Sequence, residues 1–165
     1  MLNKLSFSIS YDAYDHLADL TELDQSLCAK AEAALATSYS PYSNFKVATA
    51  VRLTDGNIIT GSNQENVAYP SGLCAERVAL FTVGAAYPNA VVESMVITAH
   101  TDKFKIEQPV TCCGACLQVM AEFERKQNKE IEVIFYCIDG KILKVKSVKD
   151  LLPFVFVEER LKGNS

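Results

Sequence analysis

The sequence predicts an α/β fold, a mixed five-stranded sheet covered by helices, in a single domain spanning 1–165. Three observations carry this expectation. Segments of helical spacing alternate with short apolar ones in the order helix, two strands, helix, strand, helix, two strands. Two pairs of strand-like runs flank the tight-turn dipeptides Asp55-Gly56 and Asp139-Gly140. The chain has 165 residues, 49% of them hydrophobic, enough for one core, and shows no internal repeat, low-complexity tract or linker.

Residues 12–36 read as the first helix, with Leu17, Leu20, Leu23, Leu27, Ala31 and Leu35 at helical spacing among many alanines. Ser40-Pro41-Tyr42-Ser43-Asn44 breaks it. Residues 45–53 and 58–63 form a hairpin, and 67–73 a loop containing Pro70 and Gly72. Residues 74–86 read as a helix, with Ala75, Val78, Ala79 and Phe81 on a small or apolar face, and Pro88 stops it. Residues 91–101 are a strongly apolar, buried strand. A helix over 114–126 offers Leu117, Val119, Met120 and Phe123 to the core. Residues 131–138 and 141–145 make the second hairpin. A short helix over 147–152 is ended by Pro153, and the tail carries Phe154, Phe156 and Val157.

Charge and composition exclude several classes. With 16 basic and 20 acidic residues the net charge is −4, so no overall positive field draws in phosphate backbones. Lysines gather at 126–129 and 141–149, but acids are interleaved and the stretches read as solvated faces. Nucleic acid is disfavoured as a partner, and a small, uncharged or weakly charged substrate fits better. No apolar run reaches membrane-spanning length and no signal-peptide order opens the chain, so a cytoplasmic protein without a membrane partner is expected. In a reducing compartment the six cysteines read as thiols or metal ligands.

Two segments carry the chemistry. Cys74-Ala75-Glu76-Arg77 opens one predicted helix, and Thr111-Cys112-Cys113-Gly114-Ala115-Cys116 opens another. A Cys-x-x-Cys pair at a helix start can aim both sulfurs at one point, and the positive helix end favours the thiolates. Cys74 adds a third ligand to Cys113 and Cys116. Three protein ligands plus water is the arrangement of a catalytic Zn2+, whereas four close a structural site. Glu76, two residues after Cys74, can sit beside the metal without ligating it and move protons. A ligand, one residue, a non-ligand Glu and a later Cys-x-x-Cys is the pattern of zinc deaminases, here with cysteine as the first ligand. Three thiolates on Zn2+ leave a formal charge of about −1, which Arg77 and the two helix ends are expected to offset, Arg77 by hydrogen bonds to sulfur.

These segments resemble the small homotetrameric cytidine deaminases of nucleoside salvage. Ser40-Pro41-Tyr42-Ser43-Asn44-Phe45-Lys46-Val47 looks like that family's first motif. Gly61-Ser62-Asn63-Gln64-Glu65-Asn66 is similar to its ribose-binding segment, the two cysteine segments match its zinc motifs, and Leu151-Leu152-Pro153 with Phe156 is similar to its C-terminal signature. The resemblance implies a three-layer cytidine-deaminase-like fold. It implies hydrolytic deamination of cytidine and deoxycytidine to uridine and deoxyuridine, with release of ammonia, by zinc-activated hydroxide attack at C4 and a Glu76 proton shuttle. It implies that Asn63 and Glu65 hold the ribose hydroxyls, that Phe45 packs on the pyrimidine, that the Ala75 N–H binds the base carbonyl, and that the Thr111 carbonyl faces the leaving amino group. It further implies that Tyr69 and Phe156 reach a neighbouring subunit's site, so that a homotetramer shares its active sites.

Two positions depart from the family pattern. Cys112 stands where proline is usual, adding an N–H and a fourth nearby thiol, and Leu117 replaces an arginine. Cys28 and Cys137 read as small buried hydrophobes, His16 as a helix-surface residue, and His100, ending a strand, as a weak substitute ligand. Three other functions stay open at this level. A structural zinc module would take Cys112 or Cys137 as fourth ligand, but it gives Glu76, Asn63 and Glu65 no task. A thiol–disulfide oxidoreductase would use Cys113 and Cys116, but it leaves Cys74-Ala75-Glu76 unexplained. A related deaminase would act on another aminopyrimidine nucleoside.

Overall fold

The computed structural model describes residues 2–162; Met1 and residues 163–165, which the single-domain reading includes, lie outside the described residues. Six strands form one sheet: β1 (Asp12–Tyr14), β2 (Lys46–Leu53), β3 (Ile58–Ser62), β4 (Val92–His100), β5 (Glu132–Tyr136) and β6 (Ile142–Val145). Their order is β1-β6-β5-β4-β2-β3. Every pairing is antiparallel except β4 with β5, which run parallel because a helix connects them. The expected mixed sheet is present, with six strands rather than five.

The sixth strand corrects the reading of 12–36 as one helix. Residues 12–14 pair with Ile142 to Lys144 at the sheet edge. A 3-10 turn follows at Leu17–Asp19, and helix α1 spans only Glu22–Ala34. Thr21 decides the start: its hydroxyl accepts from the Asp24 N–H at 3.2 Å, satisfying one of the orphan donors of the first turn. Leu17 and Leu20 have helical spacing but lie before this cap, and His16 therefore precedes the helix instead of standing on its surface.

Period-two alternation in the central strands builds the three layers. On β2, β4 and β5, Ala50, Val96 and Ile134 face α1, where Leu27, Cys28 and Ala31 pack on them. Val51, Met95, Ile97, Val133 and Phe135 face the other way, against Ala79, Leu80 and Val83 of α2 (Ala75–Ala86) and Met120 and Ala121 of α3 (Gly114–Gln127). Leu117, in place of the usual arginine, joins this second core. Gly61 allows close layering: a Cβ there would lie 2.5 Å from the Ala79 nitrogen and 2.7 Å from the Ala75 oxygen, so α2 rests directly on β3. Among the described residues no helix is long and apolar enough to cross a membrane.

Candidate active site

The site forms where α2 and α3 begin. Their N-caps are Cys74 and Cys113, at nearly the same backbone geometry (φ −71°, ψ 153° and φ −73°, ψ 160°), and neither side chain caps its helix. Serine, threonine, aspartate or asparagine would cap better. The sulfurs instead face each other, with Cys116 of the first turn of α3 completing the group. Cys113 Sγ lies 4.0 Å from Cys74 Sγ and 3.5 Å from Cys116 Sγ. All three sulfurs fall within 4.8 Å of one another, the one such grouping of metal-ligating atoms found among the described residues.

The donor set fits zinc. Tetrahedral bonds of about 2.3 Å to sulfur require sulfurs about 3.8 Å apart, and the two spacings above bracket that value. The electrostatics prepare thiolates. Cys74 is brought down to about 5, first by a hydrogen bond from Cys116, against the cost of burial, then by Arg77 and Cys113. Cys116 is pushed up for the complementary reason: as a thiol it donates to the Cys74 thiolate, and it is buried. The cluster thus favours the thiolate form at Cys74, the sulfur beside Arg77. Arg77, in the first turn of α2, reaches Cys74 Sγ with Nη2 at 3.7 Å, while its Nε is buried without a protein acceptor among the described residues.

Glu76 occupies the second position of α2 and is 4% exposed. Burial raises its carboxyl above the ordinary range, partly opposed by hydrogen bonds from its own backbone N–H and from the Cys112 thiol. The thiol at the position where proline is usual thus lies against this carboxylate, and burial with the charge of Glu76 pushes it up.

A cavity of about 640 Å3 opens beside the cluster, within the size range of small-ligand pockets. Cys74, Glu76, Arg77, Cys113, Asn63, Glu65, Tyr69 and Thr111 line it. Glu65 is charged and fixed: its Oε2 accepts from the Tyr42 N–H at 2.9 Å and the Ser43 N–H at 3.2 Å. Slight burial works against its charge, but these bonds, the Ser43 hydroxyl and the nearby Lys103 hold it below the usual carboxylate range. Asn63 is largely committed to the protein. Its Oδ1 accepts from Ser38 Oγ at 2.5 Å and the Val47 N–H at 2.8 Å, and its Nδ2 donates to the Phe45 carbonyl at 2.9 Å. It braces the start of β2 and has one N–H left for a ligand.

Four named residues stand away from the cavity wall. Phe45 stacks on Phe104, with centroids 6.3 Å apart and planes at 28°. Ala75 is fully buried as the first residue of α2, where the backbone N–H has no intrahelical acceptor. Cys116 lies behind Cys113. Phe156 is 69% exposed. Tyr69, 74% exposed, sits at the rim with its ring edge-to-face on Tyr42 at 5.9 Å. His100 pairs with Asp102 at 3.1 Å, and Cys28 and Cys137 are buried, all apart from the three-sulfur cluster. Sequence reasoning missed the supports of the site. Ser38, the Tyr42 and Ser43 amides, Phe104 and Lys103, whose Nζ donates to the Ser43 carbonyl at 2.9 Å, lie in loops whose contacts span more than 20 residues. No local pattern could have signalled them.

A cluster of three cysteine sulfurs held by two helix ends beside a buried carboxylate fits a metal-dependent hydrolytic centre. The family model for the cytidine and deoxycytidylate deaminase zinc-binding region matches residues 21–130. The chain belongs to that family of zinc-dependent hydrolases. It is 38% identical to a cytidine deaminase of Halalkalibacterium halodurans over 82% of this chain and 95% of that one. It is 36% identical to a cytidine deaminase of Sporosarcina psychrophila over 83% and 93%. Among solved structures, the cytidine deaminase from Burkholderia pseudomallei superposes with a TM-score of 0.71 at 36% identity, covering 83% of this chain and all of that one.

Proposed function

We propose that the protein is a cytidine deaminase, converting cytidine and deoxycytidine with water into the uracil nucleosides and ammonia, as a single cytoplasmic domain assembled into a homotetramer. The observation that carries this reading is the buried Glu76 carboxylate set two residues after Cys74 at the edge of a nucleoside-sized cavity. Cys74, Cys113 and Cys116 would hold about one Zn2+ per chain. When bound, the zinc supplies Lewis acidity that brings a water's pKa near 7.

The chain's own residues do the rest. Glu76 takes a proton from the attacking water and delivers it to N3 as the C4–O bond forms. It then passes the second water proton to the amino group as the C4–N bond breaks and ammonia leaves. The Ala75 N–H binds the base carbonyl and the Thr111 carbonyl faces the amino group. Asn63 and Glu65 take the ribose hydroxyls, and a neutral sugar suits a cavity already holding the Glu65 charge. Phe45 packs on the pyrimidine, which requires its ring to turn from Phe104 toward the cavity. Tyr69 and Phe156, both on the surface, contribute to a neighbouring subunit's site.

Ammonia release measured across cytidine, deoxycytidine, cytosine and modified cytidines tests the substrate class, with zinc content measured in parallel. Glu76→Gln is expected to keep the fold and the metal and to lose at least about 10²-fold in rate. Near-normal turnover in that variant would defeat the proton-shuttle role.

A further inference from the structure

Gln118 stands in the second turn of α3, two residues after Cys116, and its side chain faces the end of the chain. Its Nε2 donates to the Phe156 carbonyl at 2.9 Å, and its Oε1 accepts from the Phe156 N–H at 3.1 Å. One carboxamide thus satisfies both backbone polar groups of a single residue, as a neighbouring strand would. Residues 155–158 belong to no helix or strand, so Phe156 draws this backbone pairing from a side chain. Two further contacts hold the same segment: Arg125, also on α3, pairs with Glu159, and Phe154 meets Phe7 edge-on at 6.0 Å.

The ring receives the opposite treatment. Phe156 is 69% exposed and contributes nothing to the cavity of its own chain. Ordering a backbone while leaving a large aromatic side chain in water gains nothing within one molecule. It is gainful when the ring is delivered elsewhere in a fixed place.

We propose that Gln118 is a positioning residue that locks the Phe156 backbone so that the ring enters the active site of a second copy of this chain. This rests on the reading that Phe156 completes a neighbouring site. The first turn of α3 carries Cys113 and Cys116, and the next carries Gln118. The helix that supplies two of the three sulfurs of one copy's metal centre therefore also holds the segment whose ring the same copy lends.

Steady-state ammonia release by the assembled, zinc-loaded protein separates the possibilities. Phe156→Ala is expected to raise KM for cytidine on the order of tenfold with kcat nearly kept, as loss of a buried aromatic contact does. Gln118→Ala is expected to raise KM in the same direction with zinc content unchanged. The double variant should be no worse than Phe156→Ala alone, because Gln118 acts through that ring. Gln118→Glu keeps the acceptor for the Phe156 N–H but loses the donor to its carbonyl, so its KM should fall between; it also serves if the alanine variant fails to fold. Multiplicative effects in the double variant would overturn the clamp, as would a Gln118 variant that loses zinc or thermal stability at unchanged KM. A silent Phe156→Ala would instead overturn the shared-site reading on which the clamp depends.

Discussion

At the scale of single residues, the site gives up local stability for chemistry. Cysteine is a poor N-cap, yet both helices that form the site begin on one. Arg77 is then the nearest compensating charge, with Nη2 at 3.7 Å from Cys74 Sγ and its own ionisation strengthened by that thiolate. Removing a residue that orients and neutralises a metal ligand usually costs about 10–100-fold in metal affinity or activity. Arg77→Ala should therefore weaken zinc binding on that scale in chelator competition, and Arg77→Lys should recover only part, since an ammonium lacks the planar fork. Unchanged zinc affinity in Arg77→Ala would show that the helix ends suffice. Cys74 with Glu76, and Cys113 with Cys116, were legible because each pair lies within one turn at the start of a helix. Asn63 was only half legible. Its place at the cavity was expected, but its three bonds to Ser38, Phe45 and Val47 come from a loop fold that spacing does not encode.

Among the secondary-structure elements, α2 is the one whose placement matters most, since it carries Cys74, Glu76 and Arg77. It is seated by Gly61 of β3, where any Cβ would strike backbone atoms of Ala75 and Ala79 rather than a yielding side chain. Gly61→Ala must push the helix away from the sheet. Overpacking of this kind costs about 1–3 kcal/mol, and here it also shifts the first turn of α2 relative to Cys113. The expected outcome is a lower urea midpoint together with reduced zinc occupancy. Loss of stability with full zinc occupancy would mean that β3 yields instead. Elements with strong internal periodicity, such as the apolar β4 and the amphipathic α3, were readable to within two residues. The first was not: β1 is three residues long and exists through pairing with β6, more than 120 residues away, so leucine spacing alone extended the helix across it.

For the molecule as a whole, one buried charge joins distant layers. Asp24, 2% exposed near the start of α1, receives Lys144 Nζ of β6 at 2.9 Å and Arg52 Nη2 of β2 at 3.4 Å. Those cations are shared in turn with Glu132 at 3.0 Å and Glu93 at 2.9 Å. Burial alone would raise the Asp24 carboxyl, but Lys144, the Thr21 hydroxyl and Arg52 together hold it below its ordinary value. A carboxylate whose folded pKa is depressed contributes stability that is fully present above its unfolded pKa, near 3.9, and is lost as pH falls through the folded value. Stability should therefore decline in acid as α1 loses its attachment to the sheet. Asp24→Asn removes that protonation step and leaves Lys144 and Arg52 partly compensated by Glu132 and Glu93. Breaking a buried pair costs about 3–5 kcal/mol, and the remaining acids place the expected loss at neutral pH at the low end, near ~3 kcal/mol. Below pH about 4 the variant's urea midpoints should fall less steeply than those of the wild type. Acid also protonates the thiolates and releases zinc, but it does so in both proteins, so the difference between the two curves isolates Asp24. Parallel curves at every pH would show that the acid sensitivity lies in the metal centre and not in the attachment of α1.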